Sequence, residues 1–190
     1  MISKAVSTSL LAALICSGPA RADAEGIKMW SEKVTGSEIP FTVVEAVIEA
    51  PSSSVWAVVS HCADFSKTMP RIVASKELTR TGDENSAFTT TCEVTADLPF
   101  PLADLTSINK AVHSVEPNVK YTRRWTLVSG DYDINEGSWT LVALDPKKTK
   151  ATYRLRAKPK LPLPDSFIAT AQAQTMPDVM KKLRITTRVP

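Results

Sequence analysis

Between residues 71 and 158, apolar side chains fall at alternate positions through six successive short stretches, with no helical spacing between them. The stretches are RIVASKELTRTG, AFTTTCEVTAD, LTSINKAVHSV, VKYTRRWTLV, SWTLVAL and KATYRLRAK. A period of two marks strands with one dry and one wet face. A run of such strands joined by turns is an antiparallel sheet. One row holds Phe88, Thr90, Cys92, Val94 and Ala96; another holds Val119, Tyr121, Arg123, Trp125 and Leu127. Trp139, Leu141 and Ala143 form a third, and Ala151, Tyr153, Leu155 and Ala157 a fourth. The twice-proline segment LPFPLAD interrupts the series, Glu116-Pro117-Asn118 turns it, and SGDYDINEG reads as a polar connection.

From Ile39 the stretch FTVVEAVIEA alternates in the same way, with Val44, Ala46 and Ile48 on one face. Pro51 stops it. Ser52 to Ser54 are expected to cap a short helix bearing Val55, Trp56, Val58 and Val59. CADFSKTMP reads as a second short helix or turn. After the connector KPKLPLP, the residues Ala169, Ala173, Met176, Met180 and Leu183 form one helical stripe. Pro177 lies inside it and is expected to kink the helix or begin a new one. These elements define an α+β fold: a curved antiparallel sheet of about seven strands, two short helices after the first strand, and a long C-terminal helix across the concave face.

The 190-residue chain opens with MISK, a small-residue apolar run, and small-x-small sites before Asp23 and Glu25. That is the layout of a secretory signal peptide, residues 1–22, cleaved at 22 or 24. The expected location is therefore outside the cytoplasm, periplasmic or secreted. Removing Lys4 and Arg21 brings the formal charge of +3 close to balance. Bulk charge then gives no support to a nucleic-acid partner. Cleavage leaves Cys62 and Cys92, and a disulfide is their simplest fate in an exported chain. A free buried thiol and a nucleophile beside His61 are the alternatives. The second is weak, because adjacent helical residues point about 100° apart. His61 and His113 are too far apart in sequence to suggest a metal site, and no cofactor is expected.

Three segments carry a resemblance: VIEAPSSSVWAVVSHCADFSKTMPRIVASKEL, NEGSWTLVALDPKKTKATYRLRAKP and LPDSFIATAQAQTMPDVMKKLRI. The first is similar to a strand, Ala-Pro, Val-Trp helix, Asp-Phe, Pro opening. The second resembles a Gly-x-Trp hairpin, and the third a Leu-Pro entry to a closing helix. In this order they resemble the START-like superfamily, also called SRPBCC or helix-grip, and most closely its polyketide cyclase and coenzyme Q-binding branch. Residues 39–190 would form this domain, preceded by an extension over 23–38. The resemblance implies a cavity between sheet and closing helix that holds an apolar small molecule. It leaves the ligand open, because one fold hosts many functions.

The inward rows supply the candidate lining: Trp56, Phe88, Tyr121, Arg123, Trp125, Trp139 and Tyr153, with Phe167 on the closing helix. Packed core is the alternative for each aromatic. Arg123 shares a row with Tyr121 and Trp125. If it points inward its charge needs an acidic partner or an anionic ligand headgroup; a bulge could instead turn it out. Gln172 or Gln174 would offer one hydrogen bond from the closing helix, or face solvent. Phe100 and Leu161 mark two proline-stiffened loops expected at the cavity mouth, where a transient membrane-surface contact is the second expected partner. Lys120, Arg124, Lys150, Arg154, Arg156 and Lys158 would line the outer face, as a basic stripe or a solvated face. No cluster of acid and base residues accompanies the rows. The expected function is an exported carrier of a lipid, quinone, sterol-like or polyketide-like molecule. The alternatives are a cyclase or aromatase, and an interaction module with a filled interior. Nothing in the pattern specifies an oligomeric state.

Overall fold

The structure, a computed structural model, describes residues 21–22, 25–98 and 101–187. The expected signal segment lies outside these residues apart from Arg21 and Ala22, and so does Phe100. Among the described residues there is one antiparallel sheet of nine strands. These are β1 (Arg21–Ala22), β2 (Lys28–Val34), β3 (Ser37–Ile48), β4 (Ile72–Asp83), β5 (Ala87–Ala96), β6 (Leu105–Glu116), β7 (Lys120–Gly130), β8 (Tyr132–Asp145) and β9 (Lys148–Pro159). Their spatial order is β1-β2-β3-β9-β8-β7-β6-β5-β4. From β3 the chain crosses to the far edge of the sheet, then meanders back through six strands until β9 pairs with β3.

The crossing is made by α1 (Ser52–Ser60), a 3₁₀ turn (Cys62–Asp64) and α2 (Phe65–Thr68). Pro51, not a serine hydroxyl, occupies the N-cap of α1, and no side chain caps it. Pro51 O still accepts the Val55 N–H at 3.1 Å, so the first turn closes on the backbone. Val55, Trp56 and Val59 are buried beneath it. A disulfide between Cys62 and Cys92 ties the 3₁₀ turn to β5.

Two stretches of the sheet depart from the sequence reading. The segment read as an extension contributes β2, which pairs with β3 in a hairpin. SGDYDINEG is mostly strand rather than a connection: β7 runs to Gly130 and β8 begins at Tyr132. Pairing between Tyr132 and Pro159, and on to Gly137 and Leu155, supplies the ladder bonds there. Those bonds need no apolar alternation, so the strand left no period in the sequence.

The C-terminal helix α3 (Asp165–Thr186) continues through Pro177 as one element. Its buried residues are Ile168, Gln172, Met176, Met180 and Leu183, one residue off the expected stripe at its N-terminal end. Gln172 is drawn in to bond the sheet. Its Nε2 donates to Thr42 Oγ1 at 2.8 Å and Leu155 O at 3.0 Å, and its Oε1 accepts the Ala157 N–H at 3.0 Å. α3 consequently lies chiefly along β3, not over the middle of the concave face.

The outer basic row is largely neutralised. Arg154 meets Glu32 at 2.7 Å and Arg156 meets Glu136 at 2.8 Å. Lys158 meets Asp165 at 3.0 Å, and Lys150 lies 3.9 Å from Glu45.

The disulfide closes a loop across 30 residues. Constraining the unfolded chain in this way stabilises the fold by about 3–4 kcal/mol in the loop-entropy picture. Urea unfolding of the Cys62→Ala/Cys92→Ala double variant should show a loss of about that size. A loss below about 1 kcal/mol would contradict the assignment.

Candidate functional site

The concave face divides into a solid half and a hollow half. The solid half lies under α1. Phe88 and His113 stack with ring centroids 4.0 Å apart, and Trp56 meets His113 edge-on at 5.6 Å. Tyr121 lies 5.3 Å from Trp56. Leu141, Met180 and Leu183 complete the packing. Trp56, Phe88 and Tyr121, expected as cavity lining, are therefore core residues, because the α1 indole fills the space they would have faced. Phe167 is 57 % exposed, on the side of α3 opposite the Ile168–Gln172–Met176 stripe. Leu161 is half-buried in the loop before α3 and does not line the cavity.

His113 is the titratable member of the solid half. Its Nε2 is 3.0 Å from Thr90 Oγ1, and its Nδ1 has no hydrogen-bond partner among the described residues. Burial first, and then the charge of Arg123, push its pKa down from 6.5 to about 3. The imidazole is therefore neutral throughout the physiological range.

The hollow half lies between α2, the strands β4 to β9, and Val179 of α3. It is a hollow of about 200 Å³, partly open to solvent. Its walls include Phe65, Ile72, Val94, Trp125, Trp139 and Tyr153. Tyr153 is sandwiched in an aromatic ladder, 4.4 Å from Trp139 and 5.8 Å from Trp125. Gly137 makes room for this ladder. It sits across from Trp125 in the β7–β8 pairing, and a Cβ there would run into the Trp125 ring and Arg154 O. That is the physical content of the Gly-x-Trp motif.

A short polar network crosses one wall. Trp125 Nε1 donates to Asn135 Oδ1 at 3.1 Å, and Asn135 Nδ2 donates to Ser107 Oγ at 3.2 Å. Asn109 Nδ2 also donates to Ser107 Oγ, at 2.8 Å. Asn109 Oδ1 is left without a partner.

Arg123 is the unusual member of the lining. The row does not turn outward: Arg123 is 5 % exposed, cross-strand from His113 and Trp139. Its guanidinium lies 5.0 Å from the Trp125 ring centre and 5.2 Å from that of Phe65. Among the described residues it has no carboxylate partner, and its Nε is buried with no hydrogen bond. Burial lowers its pKa to about 10, so it remains charged near neutrality. Tyr153 is shifted the other way, its phenol held protonated by burial. Leaving a cation inside without a counter-charge is expensive, since the desolvation cost goes uncompensated.

Four sequence-nominated residues, Arg123, Trp125, Trp139 and Tyr153, thus share one cavity. Ser107, Asn109, Tyr132 and Asn135 were missed. Ser107 and Asn109 fall in period with Ala111 and His113, so the inward row of LTSINKAVHSV was available in the sequence. Tyr132 and Asn135 were hidden by the polar look of their strand.

A curved sheet gripping a C-terminal helix, with two small helices at one end and a hollow beneath, defines the helix-grip or START-like class. The profile of the polyketide cyclase / dehydrase and lipid transport family matches residues 48–184, and the chain belongs to that family. Among solved structures it is similar to a STAR-related lipid transfer protein from Xanthomonas axonopodis, with 22 % identity and a TM-score of 0.75, covering 90 % of this chain and 98 % of that one. Human STARD10 aligns at 15 % identity and a TM-score of 0.73, over 89 % of this chain and 72 % of its own. TTHA0849 from Thermus thermophilus aligns at 15 % identity and 0.62, over 78 % and 97 %. At such identities the likeness is one of fold. Comparison with curated proteins gives no match.

His113 should make the fold acid-sensitive. Its folded pKa lies below the unfolded value, so the stability it contributes is complete above pH 6.5 and is lost as pH falls toward 3. The slope is about 1.4 kcal/mol per pH unit, or about 2 kcal/mol between pH 6.5 and 5. Urea titrations of wild type and His113→Gln check this: the variant should show a flatter dependence across that window. Parallel curves would remove His113 as the cause.

Proposed function

We propose that this protein is an exported binding protein that carries an apolar small molecule in the cavity between its sheet and α3. The observation behind the reading is the hollow of about 200 Å³ beside the Trp125–Tyr153–Trp139 ladder, which no side chain among the described residues fills. Apolar concave sites with a few placed polar groups are the usual form of small-molecule pockets. Membership of a family described by both cyclase and lipid-transport activities agrees with such a cavity. Export rests on the signal-like N-terminus and on the Cys62–Cys92 bridge, which persists best in oxidising surroundings.

A cyclase would need a proton acceptor facing the cavity. Tyr153 is held protonated and Arg123 is a cation. His113 lies in the solid half, outside the lining. The carrier is therefore the better reading. The volume also narrows the cargo. A cavity of about 150 Å³ takes a benzene-sized molecule, so the present hollow suits a small or single-chain molecule better than a two-chain phospholipid.

Native mass spectrometry of protein purified from its own host should show an added mass that acetonitrile removes. An unliganded mass throughout, combined with no uptake of any apolar probe, would end the carrier reading.

The cavity mouth is proposed to lie where three loops meet. Asp131 N–H donates to Thr106 O at 2.8 Å, and Lys160 N–H donates to Asp131 O at 2.8 Å. Leu102 is 39 % exposed in the loop that leads into β6. Loading from a membrane surface would use such residues. In liposome flotation, Leu102→Ser/Leu161→Ser should float less than wild type; equal flotation would reject the membrane contact.

A further inference from the structure

We propose that the molecule held in this cavity is a small monocarboxylic acid, its carboxylate bound by Arg123 and its apolar body laid along Trp125, Tyr153 and Trp139. The inference deepens the carrier reading and rests on it.

Arg123 is the charged residue among those that line the cavity. No carboxylate is among the residues that line the cavity, and no described carboxylate pairs with Arg123. The cross-strand neighbour His113 is neutral and offers no negative charge. A guanidinium buried to this degree, next to a hollow and facing aromatic rings, is a binding group whose counter-charge is external. Replacing a buried ionic group by an apolar one is often neutral or stabilising. Keeping this cation uncompensated therefore works against the fold unless something completes it.

The chemistry of the completing group follows from the same walls. One guanidinium balances one negative charge and presents paired N–H donors to two oxygens, the geometry of a carboxylate. A phosphate monoester carries about 1.5 to 2 charges, and no second cation lines the cavity to meet the excess. The Tyr153 hydroxyl has no hydrogen-bond partner among the described residues. It is near enough to Arg123 for each to shift the other's titration. It supplies a further donor for a carboxylate oxygen. The remaining wall is apolar: Phe65, Ile72, Val94, Leu155 and Val179. The space suits a body of about eight non-hydrogen atoms, judged against the benzene-sized cavity used above.

The test is calorimetric. Wild-type protein, freed of any bound molecule by acetonitrile precipitation and refolding with the disulfide intact, is titrated with hexanoate through dodecanoate and with the 1-alkanols of matching length. Octyl phosphate is a third probe. At least one acid should bind about tenfold or more tightly than its alcohol, a gap typical of a charge-assisted bond. Arg123→Met should abolish that preference while still taking up the alcohol, and Arg123→Lys should restore part of it. Unliganded Arg123→Met should melt no lower than wild type, and only wild type should gain melting temperature from the acid. If Arg123→Met does not fold, Arg123→Gln serves in its place. Equal binding of acid and alcohol by wild type would overturn the acid and leave the carrier standing. Tighter binding of octyl phosphate would overturn the carboxylate in favour of a dianion. No uptake of any probe would overturn both readings.

Discussion

Three hydrogen bonds from a single buried amide hold α3 to the sheet, and the shape of the interior follows from where they are made. Gln172 reaches Thr42 on β3 and the backbone of Leu155 and Ala157 on β9. The β3–β9 ladder ends at Thr42 and Leu155, so the amide takes over where strand pairing stops. Each bond is worth about 1 kcal/mol net, but leaving those groups unpaired in the interior would cost more. The helix is thus pinned along one side of the concave face. Met176, Met180 and Leu183 then pack toward α1, and the strands from β5 to β7 are left to α1 and the short turn and helix that follow it.

What covers each half decides whether it is full or empty. Under α1 the large Trp56 indole reaches the sheet, and His113, Phe88 and Tyr121 close around it. Under α2 the helix is only one turn long, and the inward residues of β6 shrink to Ser107 and Asn109. Short side chains on one wall and a short helix on the other leave a gap that the Trp125, Tyr153 and Trp139 rings border but do not span. The polar atoms of the hollow are arranged by the strands and not by loops. Arg123 is fixed between two buried cross-strand partners.

Much of this was legible in the sequence, and the failures have physical causes. The alternating rows located the inward face of β5, β7 and β9 because one side of each is wetted and the other dry. The same logic put Arg123 in an inward row but left open whether a bulge turns it out; the structure buries it. It could not say which aromatic rows would be covered by a bulky helix residue, since that depends on how α1 lies on the sheet. Trp56, Phe88 and Tyr121 were misassigned for that reason. Phe167 was misplaced because the pull of Gln172 on the sheet rotates the start of α3, an effect of polar bonding that an apolar stripe does not record. Tyr132 and Asn135 were hidden because backbone pairing alone holds their strand. The Cys62–Cys92 bridge, by contrast, was the simplest expectation from a count of two, and the structure forms it.

The Cys62–Cys92 bridge has a bearing on traffic through the interior. It fastens the 3₁₀ turn to β5, and Phe65 and Met69, which follow directly, form one wall of the hollow. A wall sewn to its own floor at Cys62 is restrained at that end. Under the carrier reading proposed above, a guest would have to enter past parts of the rim that this stitch does not hold. The covalent stitch thus makes this side of the hollow the fixed jamb against which any guest would have to rest.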